Sequence, residues 1–257
     1  MNSECCFICG QIAGDPGRDL LSRLLGDERY ERRVAFESTS FTVIPSVGPI
    51  VAGHALLCPR SHFWAMRDLP ACIWEEFEAV KDHVIHCLEE RFGVGVHCFE
   101  HGSASGTERL ICSVGHAHMH FLPVNVDVLP MLGHGIHWRR VGRGVGNLRK
   151  GAGRREYLYY ESPDRVPMVA VSEDATFESQ YLRRVFATAL GRSDRWNWRE
   201  DPRPEDVHFT FLALRETLLR SSCGCAFGNR ALPGNSRVEV SGRVRRAGGK
   251  PVNTGLG

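Results

Sequence analysis

Apolar residues recur at helical spacing in four stretches. Over residues 68–92, Ile73, Phe77, Val80, Val84, Leu88 and Phe92 repeat every three or four positions, which builds one apolar stripe on a long helix. Pro70 sits near its start, where proline is tolerated, and Gly93 ends it. The helix reads as scaffold packed on a sheet, and His83 and His86 read as solvated residues on its polar side. Residues 179–190 carry a second stripe at Tyr181, Leu182, Val185, Phe186 and Leu190, and residues 205–219 read as a last helix. Leu20, Leu21, Leu24 and Leu25 have the spacing of one or two helical turns.

Between these stretches lie short β-like runs. Residues 33–44 predict two strands with a turn near 37–39. Residues 55–58 form a buried-looking strand ended by Pro59, and residues 95–102 form the next. Residues 110–122 predict a strand ended by Pro123, joined to the previous one by a polar loop that brings Glu100 and His101 near it. Residues 156–160 and 166–171 look like paired strands. Residues 133–153 are crowded with glycine and basic side chains and predict a long mobile loop.

Charge refines this organisation. The net charge of +2 is uneven: Arg139, Arg140, Arg143, Arg149, Lys150, Arg154 and Arg155 form one basic block, and residues 221–257 form another. The rest of the chain is acidic. That excludes a general nucleic-acid binder and suits a phosphate-rich ligand at one place, or simply solvated basic loops. The basic, glycine-rich tail has few large apolar residues and reads as disordered. The amino terminus lacks the basic and apolar regions of a signal peptide, and no run approaches the ~18 apolar residues of a membrane span. The expectation is a cytoplasmic protein with no membrane partner, in which most of the ten cysteines are reduced and buried.

Candidate chemistry centres on His116-Ala-His118-Met-His120. In a strand, side chains alternate between faces, so the three histidines would line one face and Ala117, Met119 and Phe121 the other. Three imidazoles on one face point to a nucleophile, a base or metal ligands. Cys6-Phe-Ile-Cys9 is half of a tetrahedral zinc site or a redox pair. His54 and His62 bracket the strand at 55–58.

Together, Cys6-x-x-Cys9, Gly53-His54-x-Leu-x-x-Pro59-x-x-His62 and His116-x-His118-x-His120 resemble the histidine triad family of nucleotidyl hydrolases and transferases, in the family's order, over about half the chain. The resemblance implies an α+β fold, with an antiparallel sheet of about five strands packed with a long helix, and a possible homodimer. It implies a nucleotide or dinucleoside polyphosphate substrate. His118 matches the nucleophile that attacks the α-phosphorus and becomes nucleotidylated. His120 and His54 match positions near the phosphate. Ser113 matches a serine that contacts phosphate or leaving group, and His101 stands where many members have asparagine. The resemblance also implies a structural zinc held by Cys6, Cys9, His62 and His116. Cys112 and a longer 102–112 loop depart from the family on the leaving-group side.

The chain thus divides into a catalytic domain at 1–130, a basic loop at 131–155, an extension at 156–220, whose part up to about 199 looks like one found in some bacterial members, and a tail at 221–257. Gln180, Arg183 and Arg184 of the extension could reach a polyphosphate or serve packing. The expected activity is hydrolysis of a phosphoanhydride or phosphoramidate bond. Transfer to another acceptor and non-catalytic nucleotide binding are the alternatives.

Overall fold

A computed structural model of the chain describes residues 6–25, 32–104, 114–133, 135–172 and 177–221. The tail from 222, Cys112 and Ser113 lie outside the described residues. The helices are α1 (Phe7–Ala13), α2 (Leu20–Leu25), α3 (Trp74–Phe92), α4 (Val145–Ala152), α5 (Tyr181–Ala189) and α6 (Pro204–Ser221). The strands are β1 (Phe36–Glu37), β2 (Phe41–Pro45), β3 (Ala55–Pro59), β4 (Val96–Gly102), β5 (Met119–Pro123), β6 (Arg139–Arg140), β7 (Tyr157–Glu161) and β8 (Pro167–Val171).

All eight strands form one antiparallel sheet, in the order β1-β2-β3-β5-β4-β7-β8-β6. The fold is α+β, as expected, but the sheet exceeds the expected five strands. The reason is the free edge of β4: β7 pairs along it from Cys98↔Glu161 to Gly102↔Tyr157, and β8 and β6 follow. The downstream strands therefore continue the sheet that carries the histidines. Each edge strand, β1 and β6, has two residues, and β6 is Arg139-Arg140, both exposed. Short, charged edges discourage further pairing.

Both faces of the sheet are covered. One packs Val43, Leu57, Met119, Phe121, Cys98, Tyr157 and Tyr159 beneath α3, α4 and α6. The other packs Phe99, Leu122, Leu158 and Tyr160 beneath α5, and Ile44, Leu56 and Cys58 beneath α1. Double coverage explains why β2, β3, β5 and β7 are buried at every position. The helix expected over 68–92 begins as two turns of 3-10 helix, Met66–Asp68 and Ala71–Ile73, before α3 proper. Its stripe faces the sheet as predicted.

Three local expectations are corrected. The run at 133–153 is not one loop: β6 lies in it, and α4 follows because Val145, Leu148 and Ala152 make an apolar face that packs on the core. His83 is buried rather than solvated, because its ring packs by Phe36. His116 and His118 precede β5, whose first residue is Met119. There the chain is held by a bond from the Ala117 N–H to the Phe63 carbonyl (2.7 Å) rather than by a ladder.

Candidate functional site

The register of β5 sets the site. His120 pairs with Leu56 of β3 on one side and Phe99 of β4 on the other. Alternation sends Met119 and Phe121 into the helix-covered core and His120 to the opposite face. The same rule on β4 sends Phe99 and His101 to the histidine face. Glu100, expected near that face, points the other way and accepts from the Met66 N–H (2.8 Å) and the Tyr157 hydroxyl. A pocket opens over this face between α1 and α5, with about 770 Å³ of space including its mouth. His118, His120 and His101 meet there. The walls are largely apolar, from Phe7 and Ile8 of α1, Ile44, Leu56, Leu182 and Trp198.

Hydrogen bonds give each ring a definite proton. His118 Nδ1 lies 2.6 Å from the His116 carbonyl oxygen, so it keeps its N–H and leaves Nε2 with a free lone pair. The Ile50 N–H donates to His54 Nδ1 (3.2 Å), so His54 carries its proton on Nε2. That proton faces His120 Nδ1 at 2.9 Å, which leaves His120 with an Nε2–H. His54 therefore stands behind His120. His101 Nε2 lies 2.7 Å from Glu156 Oε1, which also accepts from the Phe177 N–H.

The rings of His118, His54 and His120 are uncharged at neutral pH. Burial pulls the His118 pKa down to about 4, against the raising effect of the His116 carbonyl. Burial, then the Arg183 charge and the His118 ring, holds His54 well below the usual histidine range; His120 is lowered by burial, its two histidine neighbours and Arg183. A neutral imidazole with an open Nε2 is a nucleophile or base, and one beside it with an Nε2–H is a donor for developing negative charge.

Behind the pocket, Cys6, Cys9, His62 and His116 bring their ligand atoms within 4.8 Å of one another. Cys9 Sγ lies 3.4 Å from both His62 Nδ1 and His116 Nδ1, and Cys6 Sγ lies 3.5 Å from His116 Nδ1. The edges of a tetrahedron with Zn–S near ~2.3 Å and Zn–N near ~2.0 Å are about this long. His116 Nε2 faces the Pro59 carbonyl at 2.8 Å, which leaves Nδ1 as the ligand atom, the outer-sphere arrangement of metal-bound histidines. The Cys9 side chain, above all, and then His116 hold the Cys6 thiol down, to about 3. The residues fit a four-coordinate metal, and α1, which carries both cysteines at its start, is the pocket wall it would fix.

Two participants were not legible as site residues: Phe99 underlies His120 and Glu156 orients His101. Arg183, named from the sequence as able to reach a polyphosphate or serve packing, lies in the pocket wall. Arg183 had one visible mark: it precedes Phe186 by three residues, which puts a charge on the buried side of α5. Gly48 offers it a carbonyl at 2.6 Å. Gly48 has φ +57°, and a Cβ there would lie 2.7 Å from the Trp198 Cα and the Asp201 carbonyl oxygen, so the close approach requires glycine.

Among solved structures, the chain is similar to several proteins described as histidine triad proteins. One is a hypothetical histidine triad nucleotide-binding protein from Sulfolobus tokodaii strain 7, 13% identical, covering 73% of this chain and 84% of that one, with TM-score 0.36. Another is a zinc-bound histidine triad family protein from Mycobacterium smegmatis, 18% identical, covering 48% and 78%, with TM-score 0.34. A third is a member of the HIT family from Bacillus subtilis, 20% identical, covering 46% and 72%, with TM-score 0.33. No protein-family model and no curated protein matches the chain. By its own fold and site, the chain is an α+β protein with a histidine-lined pocket backed by a Cys2His2 cluster. In its three motifs it resembles the histidine triad family. Among the described residues, no helix is long and apolar enough to cross a membrane.

Proposed function

We propose that the chain is a histidine triad enzyme that cleaves a nucleotide at its α-phosphorus through a nucleotidyl-His118 intermediate. The observation that carries this reading is the 2.6 Å contact from His118 Nδ1 to the His116 carbonyl, which leaves Nε2 free at the pocket surface. In the first step a bond forms from His118 Nε2 to phosphorus, and the bond from phosphorus to the leaving group breaks. The leaving group takes the electron pair and a proton from solvent. The His120 Nε2–H donates to a phosphoryl oxygen as charge builds there. Water then attacks phosphorus and gives up a proton to solvent, the P–N electron pair returns to Nε2, and His118 is restored. A nucleotide or phosphate acceptor in place of water makes the same intermediate a transferase step.

The substrate is a dinucleoside polyphosphate or a nucleoside phosphoramidate. His101 and Ser113 complete the substrate contacts in this reading. Zinc at Cys6, Cys9, His62 and His116 is structural: its four protein ligands leave no open position, and no step passes through it. Reduced cysteines suit a cytoplasmic enzyme, and the six cysteines among the described residues are outside any disulfide.

The test is turnover of diadenosine polyphosphates and adenosine phosphoramidate, with and without added phosphate. Wild type turns over at least one, and His118→Ala falls by about 10⁴-fold or more, as nucleophile removals do. Mass spectrometry of a quenched reaction finds the nucleotidyl adduct on His118. Equal, negligible turnover by both proteins rejects the reading. A phosphate-dependent product identifies transfer.

A further inference from the structure

Arg183 brings to the pocket a charge that its surroundings leave uncancelled. It is 3% exposed. Its Nε donates to the Trp196 carbonyl (2.8 Å), one Nη to Ser46 Oγ (3.2 Å) and the other to the Gly48 carbonyl (2.6 Å). All three acceptors are neutral. Among the described residues no carboxylate pairs with it, and burial alone accounts for the fall of its pKa to about 9. A guanidinium has five N–H donors, so two remain. Buried charges are normally paired, because an unpaired one forfeits its hydration with nothing in return.

A second residue on the same wall is also incomplete. Gln180 caps the start of α5, is 8% exposed, and lines the pocket. Its Oε1 is buried without a hydrogen-bond partner. Its backbone is left-handed, with φ +59°, a conformation that a non-glycine residue rarely adopts without a purpose. One residue lacks an anion and the other lacks a donor. Both sit beside a pocket whose remaining walls are largely apolar. His120 offers one N–H to a phosphoryl group, so it does not supply the missing anion. A ligand supplies both if it carries one phosphate at His118 and His120 and another at Arg183.

We propose that Arg183 binds a second phosphate of the ligand, apart from the one that faces His118, while Gln180 Oε1 accepts an N–H or O–H of the same ligand. The pocket is thus built for nucleotides with two phosphate groups rather than one. This rests on the nucleotide reading above and narrows it. The second phosphate either continues the 5′ chain or sits elsewhere on the ribose. Arg183 recognises the same chemistry in both.

The test is calorimetric binding to the full chain, zinc-loaded, in a His118→Ala background so that no ligand is consumed. The probes are AMP, ADP, adenosine 3′,5′-bisphosphate and inorganic pyrophosphate. ADP or the 3′,5′-bisphosphate binds at least tenfold more tightly than AMP, and which of them does so locates the second phosphate. Arg183→Met removes that preference and leaves AMP binding within a few-fold, while Arg183→Lys keeps part of it. Gln180→Leu weakens the nucleotides and leaves pyrophosphate unchanged; any other pattern removes Gln180 from the proposal. Thermal unfolding of each variant confirms that it is folded. If AMP, ADP and the bisphosphate bind equally, the Arg183 proposal falls and the nucleotide reading stands. It falls also if Arg183→Met and Arg183→Lys weaken every probe by one factor, which marks Arg183 as a strut between α5 and residues 46–48. If only pyrophosphate binds, through Arg183, the nucleotide reading falls and the anion site stands. If nothing binds, both fall.

Discussion

Phe99 stacks on His120, with ring centroids 4.4 Å apart and planes 12° from parallel. Phe186 of α5 stacks on Phe99 in turn, at 5.2 Å and 18°. The imidazole assigned to the phosphate in the proposed reaction is thus braced by a ring from β4 and, behind it, a ring from the extension. Aromatic pairs contribute roughly 0.5–1.5 kcal/mol each beyond their buried area. Phe99→Leu keeps most of the volume and loses both stacks. It should lower stability by about 1–3 kcal/mol. It should also lower kcat roughly tenfold, because a small misplacement of a phosphate-side donor is expensive. Denaturant unfolding and steady-state kinetics check the two effects, and an unchanged kcat would show that His120 is oriented without the stack.

In the proposed reaction, His54 acts on the phosphate only through His120. The bond from its Nε2–H to His120 Nδ1 forces the outward-facing proton onto His120 Nε2. His120→Ala removes the donor and should cost about 10²–10³ in kcat. His54→Ala leaves the donor but frees its tautomer, and should cost less, about 10–100-fold. His54→Gln can present an amide N–H to His120 and should recover part of that loss with little change in KM. If His54→Ala and His54→Gln are equally impaired, packing rather than tautomer selection is what His54 provides.

The residues that the fold brings together at the candidate site were the most legible part of the chain. A nucleophilic imidazole beside a donor imidazole, and two thiols with two more imidazoles, demand particular residue types, and those types stand out in any context. The α3 stripe was equally visible, since Phe77, Val80, Val84 and Leu88 satisfy a local periodicity. Strand pairing is not local. Residues 157–161 read as a strand, but nothing near Tyr157 says that it pairs with Gly102 and closes the β4 edge. Likewise α4 was hidden by glycines, because Val145, Leu148 and Ala152 are few and their helix is held from outside, with the Arg149 guanidinium over the Trp74 ring. The alternation at 116–120 was real, yet an extended segment without a partner has the same alternation as a strand. It is the free carbonyl of His116, unclaimed by a ladder, that reaches His118.

The metal cluster should affect binding more than chemistry. Cys6 and Cys9 lie at the start of α1, whose Phe7, Ile8 and Gln11 wall the pocket, while His116 ties the same cluster to the segment that carries His118. Purified protein should contain about one equivalent of zinc, the stoichiometry of a closed four-ligand site. Cys9→Ser or His62→Ala should lose metal, lower the melting temperature and raise KM through a loosened wall, with a smaller effect on kcat. Metal analysis alongside kinetics checks this. Variants that lose zinc and keep the wild-type KM would separate the clamp from the pocket.

Glu100 should give the fold a pH dependence of its own. It faces the core, 2% exposed, between the Tyr157 hydroxyl and the Met66 N–H, with the Arg67 charge nearby. Burial outweighs these stabilising neighbours and raises its pKa from an ordinary 4.5 to about 7. The folded chain therefore holds the proton more tightly than the unfolded chain. The stabilisation is complete below about pH 4.5 and is lost as pH rises through about 7, an effect of roughly 3 kcal/mol. Glu100→Gln stays neutral and can keep one bond to each neighbour, so its stability should not fall across that window. Denaturant unfolding of both zinc-loaded proteins from pH 5 to pH 8 measures the difference, in which the pH dependence of the shared cysteine and histidine cluster cancels. The wild type should lose ground steadily against Glu100→Gln as pH rises. A constant difference would mean that Glu100 keeps one protonation state throughout, with the Tyr157 and Arg67 contacts stronger than the burial that opposes them.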